Sequence, residues 1–134
     1  MLQSEIQIRV RYSETDRMGY VYYGNYAAYL EVARVEALRS LGITYRELED
    51  QGVLLPVSEY QIRYLKPAYY DELLTIKTVI PGSAGVRLLF NYEVLNASGD
   101  LLAVASTTLV FVNAATGKPC PPPAHITKLL DKVS

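Results

Sequence analysis

The order of hydrophobic and polar residues predicts a strand at the start of the chain, followed by a long helix. Ile6, Ile8, Val10 and Tyr12 alternate with Glu5, Gln7, Arg9 and Arg11. This period of two is typical of a strand with one buried face. From Asn25 or Tyr26 onward, small and apolar residues recur three or four positions apart, which predicts a helix with one inward face. The predicted inward positions are Tyr26, Leu30, Ala33, Ala37 and Leu41.

The pattern after the long helix predicts a short helix followed by strands. Gly42 suits the C-terminal cap of the long helix, and Thr44-Tyr45-Arg46-Glu47 predicts a capping box that opens a short helix ending at Gly52. Strands are then predicted around Tyr60 to Tyr64, Leu73 to Ile80, Val86 to Leu95 and Leu101 to Val112, and a proline-rich tail follows them. The short turns between these strands favour an antiparallel sheet packed on the long helix.

The last predicted strand, Leu101 to Val112, is apolar on both faces, as a strand covered on both sides would be. One helix cannot cover both faces of a sheet. This strand therefore points to a partner subunit.

Length and charge narrow the possible functions. A chain of 134 residues, half of them apolar, is expected to form a single domain over residues 1–134. The 13 basic and 14 acidic residues are interspersed, so neither a nucleic-acid surface nor a membrane surface is predicted. The N-terminus has no apolar signal region and no run is long enough to cross a membrane, which predicts a cytoplasmic protein.

The most informative segment is Tyr12 to Tyr26, where Asp16 precedes a glycine turn at Gly19 and the start of the long helix. The first N–H groups of a helix have no partners within it, so they can polarise a carbonyl placed beside a carboxylate. An aspartate ahead of a glycine is also typical of an Asx turn or a cap. From the residues alone, both interpretations of Asp16 stay open.

The run T-D-x-x-G-x-V-Y-x-x-x-Y-x-x-x-x-E-x-A-R, from Thr15 to Arg34, resembles the hot-dog-fold acyl-CoA thioesterases of the 4-hydroxybenzoyl-CoA thioesterase-like family. The resemblance continues through Gly52-Val53, the segment Tyr64 to Leu73 and Gly117-Lys118-Pro119. It implies an α+β hot-dog fold, in which an antiparallel five-stranded sheet wraps around one long helix. It also implies a homodimer that pairs its sheets edge to edge and assembles to a homotetramer.

The resemblance implies hydrolysis of an acyl-CoA thioester to a free acid and coenzyme A, without metal or cofactor. Asp16 matches the catalytic carboxylate of the family, which acts as general base on water or as nucleophile on the thioester carbonyl. The backbone N–H of Tyr23 matches the group that polarises this carbonyl. Such chemistry needs one carboxylate and an oxyanion site, because a thiolate leaves easily.

Other residues are weaker candidates. Gly19, Tyr26, Arg63, Lys66 and Arg87 are candidate substrate-binding residues, the three cations as partners for the coenzyme A phosphates. The tyrosines crowded around Asp16 could line an acyl channel, although core and interface packing is their commoner use.

Two further observations concern alternative chemistry. Glu31 and Arg34 are expected to form an ordinary helical ion pair, with Glu31 a minor catalytic candidate. His125 is the only histidine and Cys120 the only cysteine, which excludes a Ser–His or Cys–His hydrolase and a closed zinc site.

Two alternatives to an acyl-CoA thioesterase stay open. The scarcity of cations near the predicted coenzyme A site leaves room for an acyl carrier protein as the thioester donor. The other alternative is a non-catalytic acyl-binding hot-dog protein. The combination of Asp16, Gly19 and the helix start argues against the second alternative.

Overall fold

The computed structural model describes residues 2–132, which form a curved antiparallel sheet against one long helix. Strand β1 spans Leu2–Arg9, helix α1 spans Tyr26–Ser40 and the short helix α2 spans Tyr45–Asp50. The remaining elements are β2 (Val53–Leu54), β3 (Val57–Tyr64), β4 (Leu73–Ile80), β5 (Ser83–Ala84), β6 (Arg87–Leu95), β7 (Leu101–Val110), β8 (Val112–Asn113) and α3 (Ala124–Asp131).

The main sheet has the strand order β1-β4-β6-β7-β3, with every neighbouring pair antiparallel. The short strand β5 pairs with β6, and β2 and β8 form a separate pair. Helix α1 packs on one face of the sheet, where alternate residues of the strands are buried. This core includes Leu30, Ala33, Ala37, Leu74, Ile76, Phe90, Val94 and Leu109.

The helix boundaries follow local signals that the sequence carries. The side chain of Thr44 caps α2 by accepting a hydrogen bond from the Glu47 N–H at 3.2 Å. Gly42 and Gly52 follow the ends of α1 and α2 with positive φ angles of 84° and 80°. These are the left-handed conformations that glycine adopts at low cost, so both predicted ends are confirmed.

One predicted position is wrong, and one element was not predicted. The alternation predicts Tyr12 on the inner face of the first strand, but β1 ends at Arg9 and Tyr12 begins a 3₁₀ turn, Tyr12–Glu14, with 76% of its surface exposed. The sequence pattern did not predict α3, which follows the proline-rich segment. This helix buries Ile126 and Leu130, four residues apart on one face.

The two outer strands of the sheet are β1 and β3. The side chains of β3 are exposed except for Ile62, which is half-buried. No helix among residues 2–132 combines the length and the apolar character needed to cross a bilayer.

Candidate active site

Asp16 lies in a tight hairpin that ties the end of the first strand to the helix start. Thr15 and Val21 form an antiparallel bridge. The Asp16 N–H donates to the Tyr20 carbonyl at 3.0 Å, and the Gly19 N–H donates to the Asp16 carbonyl at 3.0 Å. Gly19 has a φ angle of 85°, a value that a turn of this shape requires and that favours glycine. The shape of this turn therefore explains why the motif has a glycine at position 19.

The carboxylate of Asp16 combines the two roles that the sequence left open. Its Oδ1 accepts a hydrogen bond from the Met18 N–H at 2.9 Å, which is the Asx-turn contact. Its Oδ2 has no hydrogen-bond partner among residues 2–132. The side chain is half-buried and lines a cleft. One oxygen thus holds the turn while the other is available to a ligand.

We expect Gly19→Ala to lower both stability and activity. A residue with a Cβ in this left-handed conformation costs about 1–2 kcal/mol, and relief of the strain would move Asp16. The matched control is Gly42→Ala, because Gly42 has a φ angle of 84° after the far end of α1 and a Cβ added at either glycine would meet no other atom within 4 Å. Urea unfolding should give similar losses of stability for both variants. A Gly19→Ala enzyme with unchanged kcat would contradict the prediction.

The helix start carries a backbone donor on Tyr23, a residue that lines the same cleft. A 3₁₀ turn, Tyr23–Asn25, leads directly into α1. The Tyr22 N–H donates to the Glu14 carbonyl at 2.9 Å and the Asn25 N–H to the Tyr22 carbonyl at 2.9 Å. The Tyr23 N–H donates to no acceptor within the described chain. It is therefore free to bind an oxygen at the positive end of the helix dipole.

Glu14 joins the Asp16 hairpin to the helix start. Its backbone carbonyl accepts from the Tyr22 N–H and from Asn25 Nδ2, the latter at 2.8 Å. Its Oε1 accepts from the Arg11 N–H and from the Tyr29 hydroxyl, both at 2.8 Å. The Arg11 guanidinium binds Oε2 at 3.0 Å. Glu14 was not predicted as a site residue, because nothing in the local sequence pattern distinguishes it from a solvated carboxylate.

The environment of Glu14 predicts a pH-dependent contribution to stability. Burial works to raise the pKa of Glu14, but hydrogen bonds from the Arg11 backbone, Tyr29 and the Arg11 side chain outweigh it and lower the pKa below its ordinary value of 4.5. A lowered pKa in the folded state stabilises the fold above the ordinary value. This stabilisation is lost as the pH falls through the folded-state pKa.

We therefore expect Glu14→Gln to lower the free energy of unfolding by about 1–2 kcal/mol at pH 7, since it weakens charge-assisted hydrogen bonds. The difference from the wild type should shrink as the pH falls below 4.5. Urea unfolding across this pH range measures it, with Glu49→Gln on the exposed face of α2 as control. A difference that is constant with pH would show that the charge of Glu14 contributes nothing.

The cleft beside Asp16 has a volume of about 630 Å³ and mostly apolar walls. It is lined by Asp16, Met18, Tyr20, Val21, Tyr22, Tyr23, Tyr26, Tyr64, Leu65, Lys66 and Pro67. The Tyr26 ring packs edge to face on Tyr64, with the ring centroids 5.2 Å apart. Burial, with smaller contributions from Tyr64 and Glu72, raises the pKa of Tyr26 to about 12. Tyr26 is therefore neutral at pH 7 and cannot act as a base there.

The structure brings together four of the predicted site residues: Asp16, Tyr23, Tyr26 and Lys66 all line this cleft. Gly19 lies in the turn beneath it. Arg63 lines a separate depression on the sheet, and Arg87 is exposed at the start of β6 outside the cleft. Their role in binding a substrate stays a prediction. Within residues 2–132, no three His, Cys, Asp or Glu side chains cluster as metal ligands.

The expected Glu31–Arg34 ion pair is wrong. No carboxylate lies within 4.0 Å of Arg34 among the described residues, although the neighbouring pair Arg39 and Glu36 does meet, at 3.4 Å. Arg34 turns inward and is buried, whereas Glu31 is exposed. A spacing of three residues on a helix permits a contact but does not require one.

Comparisons with known proteins agree with this arrangement. The chain is 37% identical over 116 residues to YneP of Bacillus subtilis strain 168, which covers 87% of this chain and 84% of YneP. It is 35% identical over 112 residues to the acyl-CoA thioester hydrolase YbgC of Escherichia coli O157:H7, which covers 84% of each chain.

A solved structure is also similar to this chain. The DHNA-CoA thioesterase of Staphylococcus aureus is similar to this chain with a TM-score of 0.94 and 34% identity, over 99% of this chain and 91% of that one. The predicted hot-dog architecture is thereby confirmed. The family model of the Thioesterase-like superfamily matches residues 10–130. Because this match spans most of the chain, the protein belongs to the Thioesterase-like superfamily.

Proposed function

We propose that this protein hydrolyses an acyl-CoA thioester to a free acid and coenzyme A, with Asp16 as the catalytic carboxylate. The observation that carries the proposal is the shared cleft: Asp16 offers an oxygen without a hydrogen-bond partner, and Tyr23 offers an N–H without an acceptor, both within the described chain. Thioester hydrolysis needs an activated oxygen nucleophile and a donor for the developing oxyanion. The names of relatives as acyl-CoA and DHNA-CoA thioesterases support the same chemistry.

The proposed reaction places the thioester carbonyl oxygen on the Tyr23 N–H. If Asp16 acts as a base, it takes a proton from water and the resulting hydroxide adds to the carbonyl carbon. If it acts as a nucleophile, its carboxylate oxygen adds to that carbon and water later hydrolyses the anhydride. In both cases the tetrahedral intermediate collapses, the C–S bond breaks and the coenzyme A thiolate leaves. The free oxygen of Asp16 is compatible with either route.

Lys66 is the only cation among the residues that line the described cleft. Its ammonium lies 3.9 Å from Asp100, and both side chains are about half exposed, so this surface ion pair is weak and can open to a phosphate. A partner subunit could supply further cations, and Arg63 and Arg87 remain candidates for that role. Because the cleft of one chain has so few cations, an acyl carrier protein stays an alternative donor of the thioester.

The experiment that tests the proposal is free-thiol release from benzoyl-, short-chain and medium-chain acyl-CoAs. Turnover on at least one class is expected. If no acyl-CoA is hydrolysed, the same acyl groups linked to an acyl carrier protein are tested next. Hydrolysis of only the protein-linked thioesters would support the carrier-protein alternative. Tight binding without turnover on either donor would support a non-catalytic acyl-binding protein.

We also propose that two chains pair through β3, and that dimers assemble further to a tetramer. This outer strand exposes Val57, Tyr60 and Tyr64, and its free edge can extend the sheet into a second copy. The double-sided apolar pattern of β7 predicts that both faces of this strand are covered. In the single chain, its outward residues are only half-buried. A second layer would complete their burial.

The expected result is a dimer or tetramer at micromolar concentration, measured by light scattering during gel filtration. An open strand edge with exposed aromatic side chains favours association over a stable monomer. A monomeric mass with full thioesterase activity would contradict the assembly and show that one chain contains the whole site.

A further inference from the structure

Arg34 is the most unusual charged group in the described chain outside the proposed catalytic pair. Only 9% of its surface is exposed, and its Nε has no hydrogen-bond partner among residues 2–132. No carboxylate of this part of the chain lies within 4.0 Å of it. Burying a charge is costly unless it is paired. The guanidinium therefore lacks an anionic partner within the described chain.

The hydroxyl groups that Arg34 faces are neutral. Burial raises the pKa of Tyr45 and of Tyr92, and the positive charge of Arg34 works against that rise. Hydrogen bonding to Arg34 also lowers the pKa of both tyrosines, although the Tyr45 hydroxyl makes no hydrogen bond within 3.5 Å among residues 2–132. The Tyr92 hydroxyl shares a hydrogen bond of 2.7 Å with Thr107 Oγ1. Neutral hydroxyls orient their dipoles toward a guanidinium but do not neutralise it. The unpaired Nε of Arg34 therefore indicates that an acceptor from outside the described chain can complete the hydrogen bonds of this cluster.

Arg34 lines a groove of about 420 Å³ between α1 and β3. Its wall also includes Gly24, Ala27, Glu31, Tyr60 and Thr107.

This groove adjoins the cleft beside Asp16. Gly24 in the groove directly follows Tyr23 in the cleft, and Tyr60 and Tyr64 lie four residues apart on the same face of β3. A ligand whose reacting carbonyl lies at Tyr23 can therefore extend along α1 into the groove.

We propose that this groove holds the far end of the acyl group and that Arg34 binds an oxygen carried there, a hydroxyl, phenolate or carboxylate. The proposal rests on the thioesterase function proposed above and adds a substrate class to it. From Tyr26 to Arg34 the helix rises about 12 Å. An acyl group that reaches Arg34 is thus on the order of 10 Å long.

The test compares pairs of acyl-CoAs that share a carbon skeleton and differ by one distal oxygen group. One pair is octanoyl-CoA with the coenzyme A thioester of the eight-carbon dicarboxylic acid, and the other is 2-naphthoyl-CoA with its 6-hydroxy derivative. We expect the wild type to favour the oxygenated member by about 10- to 100-fold in kcat/KM, as a charge-assisted hydrogen bond allows. The two pairs separate a carboxylate from a hydroxyl as the preferred group.

Arg34→Met keeps the side-chain length and removes the charge, and it should reduce this preference to within about twofold of unity, since the donor is lost. The matched control is Arg39→Met on the exposed side of the same helix, which should keep the wild-type preference. Thermal unfolding and circular dichroism establish that both variants fold. If Arg34→Met does not fold, Arg34→Gln replaces it, because glutamine can still hydrogen-bond neighbouring hydroxyls but carries no charge.

Equal kcat/KM values for both members of each pair in the wild type would overturn the proposal while leaving the thioesterase function intact. A preference that Arg34→Met or Arg34→Gln leaves unchanged would overturn it as well. A wild type that hydrolyses no acyl-CoA at all instead contradicts the proposed function. In that case, binding of the free dicarboxylic and parent acids by calorimetry still tests Arg34, and equal affinity for the two acids overturns its role.

Discussion

The Asp16→Asn variant is expected to lose about 10³-fold of its turnover on acyl-CoA thioesters while it keeps its fold. Asparagine has nearly the same size, and its Oδ1 can still accept the hydrogen bond that the Met18 N–H donates to Asp16 at 2.9 Å. It cannot accept a proton from water or attack a carbonyl as a carboxylate does. The substitution therefore separates the two roles of Asp16, because it retains the turn and removes the chemistry.

Thiol release at saturating acyl-CoA gives kcat, and urea unfolding gives the stability of each variant. The matched control is Asp50→Asn, because Asp50 is exposed at the end of α2 and the same charge is removed there. We expect that control to have wild-type kcat. Full activity in Asp16→Asn would leave the aspartate as a turn residue only, the role that its Asx contact already supplies.

The strands were predictable where one face is buried and the other exposed. The run Leu73 to Ile80 is observed as β4 with the predicted ends, and β6 buries Leu88, Phe90, Tyr92 and Val94, as its alternation indicated. In these segments the period of two in the sequence identifies the same residues that α1 and the core bury, so the local pattern is enough to predict the strand. The single inward stripe of α1 was equally clear.

The errors occur where a contact distant in sequence, or a local turn, overrides the pattern. Tyr12 continues the alternation of the first strand, but the Arg11–Glu14 contacts turn the chain before it. Arg34 matches the spacing of an ion pair with Glu31, yet it turns toward Tyr45 and Tyr92, which come from other elements. A single helix does not specify such partners, so its sequence cannot predict which way a long side chain points.

The site was predictable in part for the same reason. The sequence predicted Asp16 and the helix start from one continuous segment, and the structure places Asp16, Tyr23 and Tyr26 along one cleft. The far wall, with Tyr64 and Lys66, comes from the end of β3 and the loop after it. Arg63 lines a separate depression, because it is the strand neighbour of Tyr64 and points to the opposite face of the sheet. Arg87 is exposed at the start of β6, on a different strand from the cleft residues. Their contact with a phosphate stays a prediction.

The Tyr23→Pro variant is expected to reduce kcat by about 10²-fold, because proline has no N–H to hold the oxyanion of the tetrahedral intermediate. The backbone is suited to this substitution. Tyr22 has φ and ψ angles of −62° and 131°, the extended conformation that precedes proline readily, and Tyr23 is the first residue of a 3₁₀ turn. Since the Tyr23 N–H has no acceptor within the described chain, its removal breaks no hydrogen bond of the fold.

The variant also removes the tyrosine ring, which lies 4.7 Å from the Tyr22 ring between centroids. Tyr23→Ala is the matched control, because it loses the same ring and keeps the N–H. Free-thiol release should show Tyr23→Ala close to the wild type in kcat and Tyr23→Pro far below it, with similar urea unfolding for both. If the two variants lose activity equally, the ring and not the main chain is the group that matters at this position, and the oxyanion must be bound elsewhere.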